Sequence, residues 1–269
     1  MPTDMSWLDF ERAGWNSHVD AYHAFFGTIS EQLTRPLLDA VGAGAGSRLL
    51  DACCGPGVAR KAAERGSVVD GIDIAPAMVE LAARLYPLAR FRVGDAEELP
   101  YADNEFDAVV YNIGLHHLTS PARGIAEFAR VLRGGGRLSL SVWDENRSAL
   151  GIVPEAIAAA GALAPAELPT PPQQPAYDSA EELEPLLGAA GFRLEAVELV
   201  GYTLPFPSAE SLWEGWLAAA IRSGPLLAAQ SDAVQRSART AYYRLIEPDR
   251  HDDGSVVVPV GFIVATSER

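Results

Sequence analysis

Cysteine is scarce in this sequence, and its placement argues against a disulfide framework. The 269 residues include only two cysteines, Cys53 and Cys54, which are adjacent in one turn. Adjacent cysteines make a set of bridges implausible, and no further ligands stand at metal-binding spacing. We therefore expect no metal site and a protein that works in the reducing cytoplasm.

Positive charge and long apolar runs are also lacking. The formal net charge is −15, and Lys and Arg do not cluster. A partner bound through its phosphates requires a basic face, so we expect no nucleic-acid partner. No run approaches the ~18 uncharged apolar residues of a membrane span, and the N-terminus has no apolar signal segment. These absences favour a soluble protein that is not exported and does not enter membranes.

What the sequence does contain is an alternation of strand-type and helix-type runs. Such an alternation is typical of a parallel sheet covered by helices on both faces. The last strand-type run follows a helical region without a crossover of its own. The pattern therefore predicts an α/β, doubly wound, Rossmann-like and mostly parallel seven-stranded sheet with an antiparallel last strand. The predicted strands are residues 48–52, 67–73, 89–93, 106–112, 136–143, 193–204 and 255–266.

The sequence divides into three predicted domains, two of which depart from this alternation. We expect residues 1–46 to form an N-terminal helical lid and residues 205–253 to form a helical insert that covers a ligand pocket. Residues 47–204 together with 254–269 form the Rossmann-like domain. Five prolines between Pro165 and Pro175 exclude regular helix or central strand there.

The glycine turn after the first strand narrows the choice of ligand. A dinucleotide-binding turn has G-x-G-x-x-G, but the corresponding positions are Cys53, Gly55 and Val58. A P-loop requires G-K-[ST], which is absent. The turn instead stands between two strand-end carboxylates, Asp51 and Asp73, 22 residues apart. Two carboxylates suit a ligand with positive charge and a ribose diol, and they repel a phosphate.

These residues resemble the class I S-adenosylmethionine-dependent methyltransferases, in the small-molecule branch that includes natural-product and ubiquinone-biosynthesis enzymes. The family motif D-x-G-C-G-x-G stands here as Asp51-Ala52-Cys53-Cys54-Gly55-Pro56-Gly57, and the likeness covers residues 48–143 closely. It implies S-adenosyl-L-methionine as cofactor and a ribose contact from Asp73. The implied cofactor-binding residues are Asp51, Cys53, Gly55, Gly57, Asp73, Ile74, Met78, Asp95, Ala96, Asn112 and Tyr22. Taken singly, Asp51 and Asp95 are equally typical of helix caps or turns, and Met78 of a core position.

Histidines in the segment NIGLHHLTSP provide the candidate catalytic groups. Ligands bind beyond the carboxyl ends of parallel strands, and this segment follows such a strand. Histidine titrates near neutral pH, so it suits a general base that removes an acceptor proton. We expect His116 to be the base, with His117 as the second choice. The alternative is that one histidine caps a helix and the other packs beneath the sheet.

The methyl acceptor is expected to be a small hydrophobic molecule, modified on oxygen or carbon in secondary metabolism. Trp143, Tyr177 and Trp213 are the candidate acceptor-binding residues, although Trp213 and Trp216 equally suit a helix face packed on the sheet. The expected protein is an enzyme that acts as a monomer or homodimer. Two alternatives stay open: a cofactor-binding fold recruited for another reaction such as cyclisation, and a non-catalytic binding module.

Overall fold

A seven-stranded sheet forms the centre of the protein. The computed structural model describes residues 5–144 and 148–269. The strand order is β3-β2-β1-β4-β5-β7-β6, and β7 runs antiparallel to both of its neighbours while the other pairs are parallel. The strands are β1 Arg48–Ala52, β2 Val68–Asp73, β3 Arg90–Val93, β4 Phe106–Asn112, β5 Leu132–Trp143, β6 Arg193–Phe206 and β7 Val256–Glu268.

Helices cover both faces of this sheet and bury two separate apolar clusters. Helices α4, α5, α8, α10 and α12 contribute to one cluster, and α7 and α9 contribute to the other. The helices are α1 Trp7–Ser17, α2 Val19–Ala24, α3 Phe26–Ser30, α4 Thr34–Ala40, α5 Val58–Glu64, α6 Pro76–Leu85, α7 Pro121–Val131, α8 Ile152–Ala159, α9 Ala180–Ala189, α10 Ala209–Ala219, α11 Ser223–Ala228 and α12 Asp232–Leu245.

Local sequence signals fix where several of these helices begin. Pro76 and Pro121 occupy the first helical positions of α6 and α7, where the missing N–H costs nothing. The hydroxyl of Ser120 accepts the backbone N–H of Arg123 at the start of α7. Ser208 forms a capping box with Ser211 before α10.

The central strands bring the functional segments to one edge of the sheet. β1 lies between β2 and β4, and Leu50 pairs in register with Asp70 on one side and Val109 on the other. Both faces of β1 are covered, and its last four residues are buried. Because β1, β2 and β4 are parallel, the turn after Ala52, the carboxylate of Asp73 and the side chain of Asn112 all emerge at the same edge.

Strand β7 contains a proline that the sheet tolerates for a geometric reason. Pro259 pairs with Thr203 of β6, whereas pairing of β7 with β5 begins only at Phe262. At Pro259, β7 therefore pairs only with β6. The missing N–H of the proline removes no hydrogen bond to β5 there.

The predicted fold class is confirmed, with small differences in the bounds. The predicted helical region 208–246 is divided into α10, α11 and α12, and the first break lies at Ala220, where the backbone is extended. Residues 165–175 contain no helix or strand, as the prolines predicted. Residues 1–4 of the predicted lid and residues 145–147 lie outside the described residues. The division into three domains stays a prediction.

Two kinds of feature are absent from the described residues. No helix there has the length and apolar character needed to cross a membrane. No group of His, Cys, Asp and Glu there is arranged to hold a metal ion.

Candidate active site

A cavity of about 270 Å³ opens at the carboxyl edge of the sheet, between the strand ends and the helices that cover them. Its lining includes two groups of residues, together with His117 and Trp143. The strand-edge group consists of Cys53, Gly55, Asp73, Ile74, Met78, Asp95, Ala96, Glu97 and Asn112. The helical-cover group consists of Glu11, Trp15, Tyr22, Phe26, Trp216, Ile221 and Arg222.

The glycine turn adopts backbone conformations that its sequence only partly suits. Gly55 has a φ of +40°, which glycine adopts without strain. Cys53 stands where the family motif has its first glycine, and its φ is +59°. A non-glycine residue in this left-handed region is strained by about 1–2 kcal/mol. The cavity wall therefore includes a strained residue, held in place by the turn around it.

Asp73 connects this turn to the end of β2. Its Oδ2 accepts the backbone N–H of Gly55 at 3.0 Å, and its Oδ1 accepts the backbone N–H of Ala75 at 3.0 Å. Burial raises the pKa of this carboxyl, and the two backbone donors oppose that rise. Each oxygen retains a lone pair for a further donor, so a carboxylate that lines the cavity is available to a ligand.

Asp51 is placed differently from Asp73. It is 0% exposed within β1 and does not line the cavity. Neither carboxyl oxygen accepts a hydrogen bond of ordinary geometry from the described residues, although the backbone N–H of Ala59 lowers the pKa somewhat. Burial dominates and raises the pKa of Asp51 well above its ordinary value. The first residue of the motif is thus a buried carboxyl, and its predicted cofactor contact stays a prediction.

Gly57 also lies behind the main cavity. It ends the turn, and its N–H donates to the carbonyl of Cys54 at 3.2 Å. It lines a second pocket of about 10 Å³ behind the turn, which Tyr22 and Asn112 share with the main cavity. This position therefore acts on the cavity through the shape of the turn.

The loop after β3 contributes Asp95, Ala96 and Glu97 to the cavity wall. Oδ1 of Asp95 accepts the backbone N–H of Glu97 at 2.8 Å. Oε1 of Glu97 in turn accepts the backbone N–H groups of Thr119 and Ser120, at 2.6 and 2.9 Å. Glu97 thereby ties this loop to the histidine segment that follows β4.

Asn112 lines the cavity at the end of β4 and is fixed from both sides. Its Nδ2 donates to the carbonyl of Ser30 at 3.2 Å, and its Oδ1 accepts the hydroxyl of Ser141 at 2.7 Å. The next residue, Ile113, has a φ of +55°, which is rare for a β-branched residue. This bend redirects the chain towards the two histidines.

The two histidines have separate environments. His117 lines the cavity, and its Nδ1 lies 3.0 Å from Oε2 of Glu11. His116 does not line the cavity, and its Nε2 hydrogen-bonds with the carbonyl of Ala176 at 2.8 Å. The geometry thus favours His117, the second choice, over His116 as the residue that can reach a ligand. The catalytic role itself stays a prediction.

The predicted acceptor-binding aromatics also divide into two sets. Trp143 lines the cavity, and Trp216 does so as well. Trp213 is 4% exposed and packs on Tyr242 at a ring distance of 4.8 Å, which fits the packing alternative. Tyr177 is buried in the other apolar cluster, on the side of His116. Neither Trp213 nor Tyr177 lines the cavity, so the geometry does not support their predicted contact with an acceptor.

The charges that line the cavity are mostly negative. Four carboxylates, Glu11, Asp73, Asp95 and Glu97, face one arginine, Arg222. The guanidinium of Arg222 donates to the carbonyl of Pro169. Burial lowers the pKa of Arg222, and the charge of Glu11 opposes that change. The balance favours a ligand with positive charge and disfavours a polyphosphate.

Comparison with known proteins agrees with this geometry. Residues 50–140 match the family described as methyltransferase domain. A curated demethylmenaquinone methyltransferase from Renibacterium salmoninarum is 40% identical over 105 residues, which cover 39% of this chain and 44% of that protein. The chain thus spans less than half the length of the curated relative that it matches.

Solved structures extend the likeness to the whole fold. A Haemonchus contortus phosphoethanolamine N-methyltransferase 2, in complex with phosphomonomethylethanolamine and S-adenosylhomocysteine, superposes with a TM-score of 0.58. It is 20% identical, and the match covers 100% of this chain and 62% of that one, which shows the fold alone. The [4+2]-cyclase SpnF superposes with a TM-score of 0.56 at 26% identity, covering 89% of this chain and 80% of that one.

Residues 50–140 thus form a methyltransferase domain on a Rossmann-like sheet, and the recognition made from the sequence is confirmed for that segment.

The lining residues that sequence reasoning missed include four with polar or aromatic side chains that matter for the chemistry of the cavity: Glu11, Trp15, Glu97 and Arg222. No sequence signal singled out Glu97 or Arg222 as a site residue. Glu11 and Trp15 carried a weak signal, because they are four residues apart and lie on one face of a helix.

Proposed function

We propose that this protein is an S-adenosylmethionine-dependent methyltransferase that acts on a small hydrophobic molecule. One observation carries the proposal. The buried carboxylate of Asp73 stands beside the glycine turn in a cavity that continues under tryptophans of the helical cover and of β5. Such a cavity suits one polar ligand next to one apolar ligand.

The residues present fit the chemistry of this cofactor. S-adenosylmethionine supplies a methyl group on a positively charged sulfur, and it also has an ammonium group and a ribose diol. The cavity carboxylates of the strand-edge group, Asp73, Asp95 and Glu97, attract the positive charge, and Asp73 has lone pairs for two hydroxyls. The missing phosphate-binding lysine fits a ligand without phosphate.

We assign the following roles. Asp73 accepts the ribose hydroxyls, Asp95 accepts the adenine amino group, and the glycine turn with Asn112 approaches the amino-acid end. The full set of proposed cofactor residues is Asp51, Cys53, Gly55, Gly57, Asp73, Ile74, Met78, Asp95, Ala96, Asn112 and Tyr22. Asp51 and Gly57 act through the shape and charge of the turn, since both lie behind the cavity wall.

The proposed acceptor is a hydrophobic ring compound that packs between Trp143 and Trp216. Support comes from the aromatic lining of the cavity. The name of the relative from Renibacterium salmoninarum points in the same direction, because demethylmenaquinone is a hydrophobic quinone. We also propose that the protein works in the cytoplasm as a monomer or homodimer, and its unbridged cysteines fit a reducing compartment.

Calorimetry with S-adenosylhomocysteine and S-adenosylmethionine tests the cofactor assignment. We expect micromolar-range binding and no binding of NADH or ATP. Asp73→Ala is expected to weaken binding more than tenfold, because two charge-assisted hydrogen bonds are worth roughly 1.5–3 kcal/mol each. Asp20→Asn, an exposed acid on α2, is the charge-matched control. Equal affinities for wild type and Asp73→Ala would overturn the ribose assignment.

A cyclisation is the second candidate function. The observation that favours it is the 26% identity to a protein named as a [4+2]-cyclase, with most of both chains covered. A methyl-labelled cofactor separates the two functions. A methyltransferase moves the label to the acceptor, whereas a cyclase converts its substrate and leaves the label on the cofactor.

A further inference from the structure

A buried acid of the first helix contacts the histidine that lines the cavity. Glu11 lies on α1 and is 3% exposed. Its Oε2 lies 3.0 Å from Nδ1 of His117 and accepts the indole N–H of Trp15 at 2.6 Å. A buried carboxylate is costly unless such donors surround it. The other acids of this region, Asp9 and Asp20, are exposed, so burial of Glu11 reflects its two partners.

The histidine is held by contacts from the same helix and from its own loop. The indole N–H of Trp7 donates to the carbonyl of His117 at 3.0 Å. The ring of Trp15 meets the imidazole edge-on, with ring centres 5.2 Å apart. The backbone N–H of His117 donates to the carbonyl of Gly114 at 3.0 Å. Both the backbone and the ring of His117 are therefore fixed once α1 is docked.

This arrangement determines which nitrogen can take a proton. A carboxylate opposite Nδ1 favours the form of the neutral ring that carries its hydrogen on Nδ1. Nε2 then holds the lone pair. No other described residue forms a hydrogen bond with Nε2, and the ring borders the cavity. The adjacent His116 differs, because its Nε2 is bound to the carbonyl of Ala176.

We propose that Glu11 is a positioning residue that makes His117 the general base for a hydroxyl acceptor. The inference rests on the proposed methyltransferase function and deepens it. The acceptor O–H bond breaks and its proton passes to Nε2 of His117, while the oxygen forms its bond to the methyl carbon. The electron pair of the former carbon–sulfur bond stays on sulfur. The acceptor class is thus one whose nucleophile must lose a proton, such as a phenol or hydroquinone.

The carboxylate also stabilises the protonated imidazole that this step produces. Burial disfavours the charged ring, but Glu11, by its charge and its hydrogen bond, raises the pKa of His117 above the ordinary value. Asp73 acts in the same direction from the end of β2, and Arg222 faces Glu11 from the helical cover. A neutral residue at position 11 removes the largest of the contributions that favour the charged ring.

Nitrogen NMR of the histidine side chains tests the proposal without any acceptor. In the wild-type protein we expect neutral His117 to carry its hydrogen on Nδ1, with its signal assigned by comparison with His117→Gln. In Glu11→Gln we expect a lower pKa for His117 and loss of this preference. Asp9→Asn, on the exposed face of the same helix, is the matched control and is expected to leave His117 unchanged. Hydrogen on Nε2 in the wild-type protein, or an unchanged pKa in Glu11→Gln, would overturn the proposal.

Kinetics and cofactor binding separate this inference from the proposed function. Once an acceptor is identified, Glu11→Gln is expected to lower kcat by about tenfold or more, since general-base catalysis is worth about 10²–10⁴. The acidic limb of the pH–rate profile should move to lower pH, and the affinity for S-adenosylhomocysteine should hold. If wild-type protein binds S-adenosylhomocysteine but neutral His117 carries its hydrogen on Nε2, this inference fails and the proposed function does not. If it does not bind S-adenosylhomocysteine, the proposed function fails. The wild-type spectrum shows which tautomer His117 adopts even if Glu11→Gln does not fold.

Discussion

Replacement of Cys53 by alanine and by glycine tests the strained turn. Both variants remove the thiol, so the difference between their free energies of unfolding reflects the backbone conformation at this position. The φ of +59° at this position costs a residue with a Cβ about 1–2 kcal/mol, whereas glycine loses about 0.5–1 kcal/mol more chain entropy than alanine on folding. Cys53→Gly is therefore expected to be more stable than Cys53→Ala by about 0.5–1 kcal/mol.

The neighbouring cysteine supplies the control for this prediction. Cys54 has no positive φ, so alanine is expected to be more stable than glycine there by about 0.5–1 kcal/mol. The entropy contribution cancels between the two positions, and the double difference gives the strain of about 1–2 kcal/mol. Urea unfolding followed by circular dichroism measures all four variants. If the stability difference between alanine and glycine is the same at position 53 as at position 54, the turn is not strained at Cys53.

Two further predictions concern Asp51 and the tryptophans. Asp51→Asn is expected to stabilise the ligand-free protein, and more at pH 7 than at pH 4. The reason is that burial raises the folded-state pKa of Asp51, so the stability of the wild-type protein falls as the pH rises above 3.8, the ordinary pKa of an aspartate. A stability gain in Asp51→Asn that does not depend on pH would contradict this. Trp216→Leu is expected to weaken binding of 2-naphthol by up to about tenfold, because an aromatic contact is worth about 0.5–1.5 kcal/mol. Trp213→Leu, a change in the core, should lower the melting temperature instead, and the opposite pattern would place the acceptor next to Trp213.

Most of the fold was predictable because the signals are local. β1 and β4 match their predicted bounds, since each is a short apolar run bounded by polar or turn residues. Prolines at the first helical positions marked α6 and α7. The breaks within residues 208–246 were not predictable, because the extended backbone at Ala220 depends on how α10 and α11 pack.

The site was predictable where a motif specified it and not elsewhere. Asp73, Asp95 and Asn112 were expected at the cavity and line it, because parallel strands bring their ends to one edge. The choice between His116 and His117 depends on a short 3-10 helical turn, Leu115–His117, which directs the two side chains differently. Glu11 comes from a helix more than 100 residues away in sequence, and only the docking of α1 shows its partner.

Transfer of a labelled methyl group tests the central claim most directly. The wild-type protein is incubated with methyl-labelled S-adenosylmethionine and a panel of phenols, reduced naphthoquinones and amines, and the products are identified by mass spectrometry. We expect label on a hydroxylated aromatic acceptor, in proportion to enzyme, with transfer reduced in Asp73→Ala and in His117→Gln. Bound S-adenosylmethionine with no label transferred to any acceptor, or transfer that is unaffected in Asp73→Ala, would contradict it.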